Sequence, residues 1–343
     1  MKLTEVRLKT GWNAAHILNG EEGIALVSQG KDIPPAPEEF GDDTFGQAVA
    51  LYQKLGQEVI AALRREDVQV VIEDDKAMVR QQEKLLVDSN GRFIFENFAI
   101  TEFVNADWSY GFDQSIQPSY EEILERAKHV FQVNDIGLTA AQFQERAEAK
   151  KAETLAGPWA NLFRGKYARP LAVPIPSVKI AKGGLGKVLA EIFVPAVERG
   201  YKFQFPKRAF NNHRKGTLEG QVKTFPGSRQ ERLIAAMAEG PVVLWVSLNC
   251  LQGGSFNADR EMTSKLPEEF MLGGTIANGT AVALYPEIAA ASSKNPLYYN
   301  AADFWGSSGS LCLYPRGSDL GFDGWYGLAH RDGGCSGSVA LLA

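Results

Sequence analysis

The feature that most constrains this chain is Val242-Val243-Leu244-Trp245-Val246-Ser247-Leu248, its strongest apolar run. Gly240-Pro241 stops whatever precedes the run, and Gly253-Gly254 follows shortly after it. The stretch is rich in β-branched and aromatic residues and therefore predicts the most deeply buried strand of the protein. It is far too short to cross a bilayer as a helix. The surrounding composition supports a folded chain: 45% of residues are hydrophobic and 22% charged, with aromatics along the whole length. A disordered chain lacks the apolar residues needed to offset the entropy of ordering.

At 343 residues the chain exceeds what one ordinary core fills, which predicts two domains. A charged helical stretch ending at Glu153 gives way to Gly157-Pro158-Trp159 and then Arg164-Gly165-Lys166-Tyr167. The change places the expected boundary between 1–155 and 156–343.

In the first part, residues 1–40 read as short strands and loops, and apolar spacing predicts a helix over about 44–65. Val68 to Ile72 reads as a strand ending in Glu73-Asp74-Asp75. A β-hairpin is expected over 84–95, closed by Asp88-Ser89-Asn90-Gly91, because Asn-Gly supplies the positive φ angles of tight turns. Ser119-Tyr120-Glu121-Glu122 and Thr139-Ala140-Ala141-Gln142 are capping-box patterns that open two helices near 119–153. Leu138 and Phe143 are placed as a hydrophobic staple for the second.

In the second part, Leu171 to Ile180 reads as an edge strand, since Pro174 and Pro176 cannot donate to a ladder. A helix is expected from Leu185 to Arg199, shortened or kinked by Pro195 and stopped by Gly200. Another starts at Ser228-Arg229-Gln230-Glu231. Beyond Gly253 the glycine, serine and aromatic content predicts short strands and ordered loops. The fold class these signals define is α+β, with two mixed domains, mainly antiparallel strands and amphipathic helices; βα units do not alternate as a doubly wound sheet requires.

The net charge of −5 and pI near 5.6 argue against broad nucleic-acid binding, which needs clustered cations. The densest basic stretch holds Lys202, Lys207, Arg208, Arg214 and Lys215 among aromatics, and reads as a strand and loop with snorkelling side chains. The N-terminal residues lack a signal-peptide apolar core, and no run is long enough for a membrane span. Three widely spaced cysteines, Cys250, Cys312 and Cys335, do not form a secreted disulfide framework, so a cytoplasmic or other intracellular setting is expected, with no native disulfide.

Three places carry residues suited to chemistry. Lys182-Gly183-Gly184-Leu185-Gly186-Lys187 lies between an extended segment and a helix, where backbone amides and the helix dipole favour an anion. Gly183, Gly184, Gly186 and Lys187 are the candidate anion-binding residues. The string resembles the deviant P-loop of ParA-like ATPases, Lys-Gly-Gly-x-Gly-Lys followed by Thr or Ser, although Val188 stands where the magnesium-holding hydroxyl is required. It is also similar to the glycine loop of starch-synthase-type glycosyltransferases, where Lys-x-Gly-Gly-Leu opens a helix under a nucleotide sugar; that resemblance implies a second nucleotide-binding domain for which too little chain follows.

Cys250, at the end of the apolar strand and before Gly253-Gly254, has the placement of an exposed nucleophile, with His213 and His330 as its candidate bases. A zinc site from Cys250, Cys312, His330 and Cys335 lacks any Cys-x-x-Cys pair, so no metal is expected.

The remaining polar groups read as structural. Glu73-Asp74-Asp75 reads as a solvated turn, and Asp259, Glu261, Glu268 and Glu269 as helix surface. His16 and His129 read as structural, and Trp108, Tyr110 and Phe112 as core.

Because no nucleophile, base and stabiliser assemble from these residues, the function expected is that of a non-catalytic binding or assembly protein, possibly a subunit of a larger complex. Self-association or a protein partner follows from that reading, with no cofactor. The alternatives are a phosphate-ligand binder or enzyme at 182–187 and a cysteine-dependent enzyme at Cys250.

Overall fold

A computed structural model of the chain describes residues 68–73, 76–81, 86–105, 118–166, 168, 170–290, 293, 295–325 and 327–343. The expected helix over 44–65, His16 and the Trp108, Tyr110, Phe112 triplet lie outside them, as do Asp74 and Asp75. Chain contacts divide the protein into two compact units, Met1–Lys84 and Leu85–Ala343. In the first, the described residues form an antiparallel pair, β1 (Val68–Glu73) and β2 (Lys76–Gln81).

The second unit is mixed α and β, the fold class that the capping boxes and strand signals predict. Among the described residues its sheet has nine strands: β3 (Pro170–Ile175), β4 (Phe210–Asn212), β5 (Val222–Thr224), β6 (Val242–Gln252), β7 (Phe270–Leu272), β8 (Leu297–Trp305), β9 (Gly309–Arg316), β10 (Asp319–Trp325) and β11 (Cys335–Leu342). The order is β3-β6-β11-β8-β9-β10-β4, with β5 also on β8 and β7 also on β11. Only β11 with β8 and β10 with β4 run parallel among these pairs. The apolar run is β6, buried at every residue. Proline-bearing β3 takes the edge beside it.

The helices follow their caps. In α1 (Tyr120–Phe131) and α2 (Ala140–Ala156) both capping boxes close reciprocally: the Ser119 and Thr139 hydroxyls accept from the Glu122 and Gln142 amides, and those side chains accept in return from the cap amides. Leu138 and Phe143 are both buried. The Asn90-Gly91 turn has φ +90° at Gly91 and brings Val87 and Phe93 into an antiparallel bridge.

The expected boundary at 155/156 falls inside this second compact unit. The Trp245 indole on β6 donates to Ala147 O at 2.7 Å, tying α2 to the central sheet across the Gly157-Pro158 break. That break is a corner leading to the short α3 (Asn161–Arg164).

Two expectations are corrected. The helix opening at Leu185 does not stop at Gly200: α4 (Leu185–Val188) passes through a π-helical turn at Leu189–Phe193 into α5 (Val194–Gln204). Pro195 has no N–H to give the preceding turn, and the wider π turn carries the chain past it. Gly200 is retained for packing, since a Cβ there would overlap the Ala283 carbonyl.

Beyond Gly253 the chain holds two helices as well as strands, α7 (Phe256–Lys265) and α8 (Thr275–Leu284), after α6 (Gln230–Glu239). All ten residues of α8 are buried. A helix covered on every side has no apolar stripe, so its Thr-Ile-Ala-Asn-Gly-Thr sequence reads as loop.

Candidate functional site

The glycine string surrounds the start of α4. Gly183 has φ +76° with open space where a side chain would project, and Gly184 is the residue before the helix. Gly186 is buried, and a Cβ there would overlap the Leu218 carbonyl, so close backbone packing accounts for this glycine. Lys187 is exposed and lies 3.9 Å from Glu191 one turn on.

Cys250 is fully inside the protein. Its Sγ donates to Ser247 O at 3.0 Å, and burial pushes its pKa far up, which keeps it a thiol. The carboxyl group that faces it is that of Asp259. His330 is exposed, its ring 5.4 Å from Trp325, and His213 is exposed with its ring 6.3 Å from Tyr314. Among the described residues no hydrogen bond joins either histidine to Cys250. All three cysteines are free and buried, and burial raises Cys312 as well and Cys335 to about 11. No group of three metal-ligating side chains occurs among the described residues.

The basic stretch is largely engaged in the fold. Lys202 pairs with Glu198 at 2.6 Å and Arg208 donates to Ala290 O. Arg214 donates to Asp323 and lies over the Trp305 ring.

Two polar centres that sequence reasoning left out sit in the core. The first surrounds the start of α8. There β8 carries extra residues relative to β9 between Asn300 and Trp305, which turns Asp303 inward. Its carboxylate accepts from Thr275 N at 2.7 Å and from Gln230 Nε2 at 3.0 Å, capping α8. Asn278 on the next turn donates to Tyr299 O and to Asn300 Oδ1, and Asn300 donates to Thr275 Oγ1. The Arg260 guanidinium donates to Ala301 O and Asp303 O and stacks 4.1 Å from Phe225.

The second centre is Asp259, one residue before Arg260. Expected on a helix surface, it is 0% exposed, whereas Glu261 and Glu268 are exposed as anticipated. Neither carboxylate oxygen has a hydrogen-bond partner among the described residues. Gly254 and Gly337 face it, and a Cβ at either would overlap its oxygens.

On the surface, α1, α5 and α8 frame a cleft of about 220 Å³ whose lining includes Arg126, His129, Val130, Phe203, Ala283 and Pro286. Phe203 is 68% exposed, the exposed large hydrophobic among the described residues, and its ring centroid is 4.8 Å from that of His129. Arg126 holds the floor in place by donating to Leu284 O at 2.8 Å. The cleft draws on residues up to 161 positions apart in sequence (125 to 286), so no local motif announces it.

Compared with protein-family models, curated proteins and solved structures, the chain matches none. No described helix is long and apolar enough to cross a membrane.

Proposed function

We propose that this protein is a non-catalytic binding or assembly protein, and that it associates with further copies of itself or a protein partner through the surface around Phe203. The observation that carries this reading is the exposed Phe203 ring standing on a largely apolar cleft. An aromatic side chain left in water forgoes roughly 2 kcal/mol that burial would supply, and aromatics are enriched where partners dock. The thiol and carboxyl groups best suited to chemistry, Cys250, Asp259 and Asp303, lie instead in the core.

Size-exclusion chromatography with light scattering tests the reading. The wild type is expected above the 37.5 kDa of one chain, with Phe203→Asp returning it to that mass. A wild type that runs as a monomer at tens of micromolar would remove self-association from the account.

A further inference from the structure

Among the described residues, Asp259 is a buried acid with no hydrogen-bond partner on either carboxylate oxygen. It sits on the first turns of α7, behind the Ser255 cap, whose hydroxyl accepts from Ala258 N and donates to Glu102 Oε2. Its oxygens point at the seam between β6 and β11, where the register shifts by two residues between Gly337 and Val339. The two extra residues lie on β6, in the segment that carries Cys250.

The groups around it can be named element by element. Cys250 comes from β6, Cys335 from β11 and Tyr299 from β8, and all three lie close enough to feel a charge on it were it ionised. Each is neutral at physiological pH, because burial raises both thiols and the phenol. Glu102, an acid, comes from the distant stretch that bridges to Gly254 through Phe103, and it accepts from Ser255 Oγ. Arg260, the cation beside it, is committed to Ala301 O, Asp303 O and the face of Phe225. An ionised carboxylate here would have neither water nor a donor, a state whose cost far exceeds that of the neutral acid.

We propose that Asp259 is a pH-sensitive latch on the β6–β11 seam: the folded protein holds it as a neutral carboxylic acid, and loss of that proton loosens the seam. Desolvation by burial drives its pKa well above the ordinary carboxylate range, with Arg260 opposing only in part. The sign follows from linkage. The unfolded side chain loses its proton near pH 4, while the folded one keeps it, so above that pH the folded state binds the extra proton. Stability is therefore fully present below about pH 4 and falls as pH rises toward the folded-state pKa, by about tenfold in the folding equilibrium per pH unit for one proton.

Urea unfolding of the wild type and Asp259→Asn across pH 5 to 8 tests this. The ratio of the two folding constants should shift toward the variant by about tenfold per pH unit until the folded-state pKa is passed. A ratio that does not change with pH would overturn the proposal. If Asp259→Asn fails to fold, amide exchange of the wild type decides instead. Once corrected for intrinsic base catalysis, protection of the β6 and β11 amides should fall as pH rises, and protection that stays constant would overturn it.

Discussion

Two aspartates in this protein are equally buried and meet opposite receptions. Asp303 stands at the start of α8 with N–H donors on both carboxylate oxygens, whereas Asp259, on the neighbouring helix, has no hydrogen-bond donor on either oxygen among the described residues. Desolvation raises both, but at Asp303 the Thr275 and Gln230 donors and Arg260 pull back and favour the charged form, against a burial that still sets the net direction. The difference teaches that burial alone does not decide what an acid does in a core. One carboxylate organises a helix terminus, and the other is a standing liability kept neutral.

The sharpest way to break the comparison is to delete the partnered acid. Asp303→Ala strips the cap from α8 and leaves the Thr275 amide and the Gln230 side chain without their buried acceptor. The expected loss is about 3 kcal/mol in urea unfolding, since removing one partner of a buried charged hydrogen bond costs that order. A loss below about 1 kcal/mol would mean the network repairs itself.

A smaller effect is expected on the other side. Gly337→Ala places a methyl group against the Asp259 carboxylate, and overpacking of this kind costs about 2 kcal/mol. In an Asp259→Ala background the same substitution should cost much less, because the methyl then fills vacated space. Equal costs in both backgrounds would show that the two side chains do not meet.

Surface caps provide the scale against which these core effects are read. Ser119→Ala should lower stability by about 1 kcal/mol, measurable by thermal melting, as the reciprocal bond with Glu122 is lost. At the bottom of the scale, Lys187→Ala should change stability by less than about 0.5 kcal/mol, because its pairing with Glu191 is long and exposed. Titration calorimetry with phosphate, with and without that substitution, reads the anion-binding alternative at 182–187. A saturable heat that disappears with Lys187 would revive it, and none is expected.

What was legible in the sequence was local. Ser119 and Thr139 announced their helices because a cap and its third residue are three positions apart, and Asn90-Gly91 announced its turn for the same reason. The β6 run was legible because burial on both faces leaves an unbroken apolar string. Gly200 was read as a helix stop because sequence shows the missing side chain and not the Ala283 backbone that requires its absence. Asp259 reads as surface because the residues of β8 and β11 that cover it, Tyr299, Cys335 and Gly337, come from distant segments. The Phe203 cleft escaped for that reason too, since α1, α5 and α8 meet only in the fold.

Isotope-edited infrared spectroscopy of the protein with carboxyl-labelled aspartate tests the contrast between the two acids most directly. At pH 7 the account predicts a protonated carboxylic-acid band that vanishes in Asp259→Asn and is unchanged in Asp303→Asn. A band that survives Asp259→Asn, or no protonated aspartate in the wild type, would contradict it.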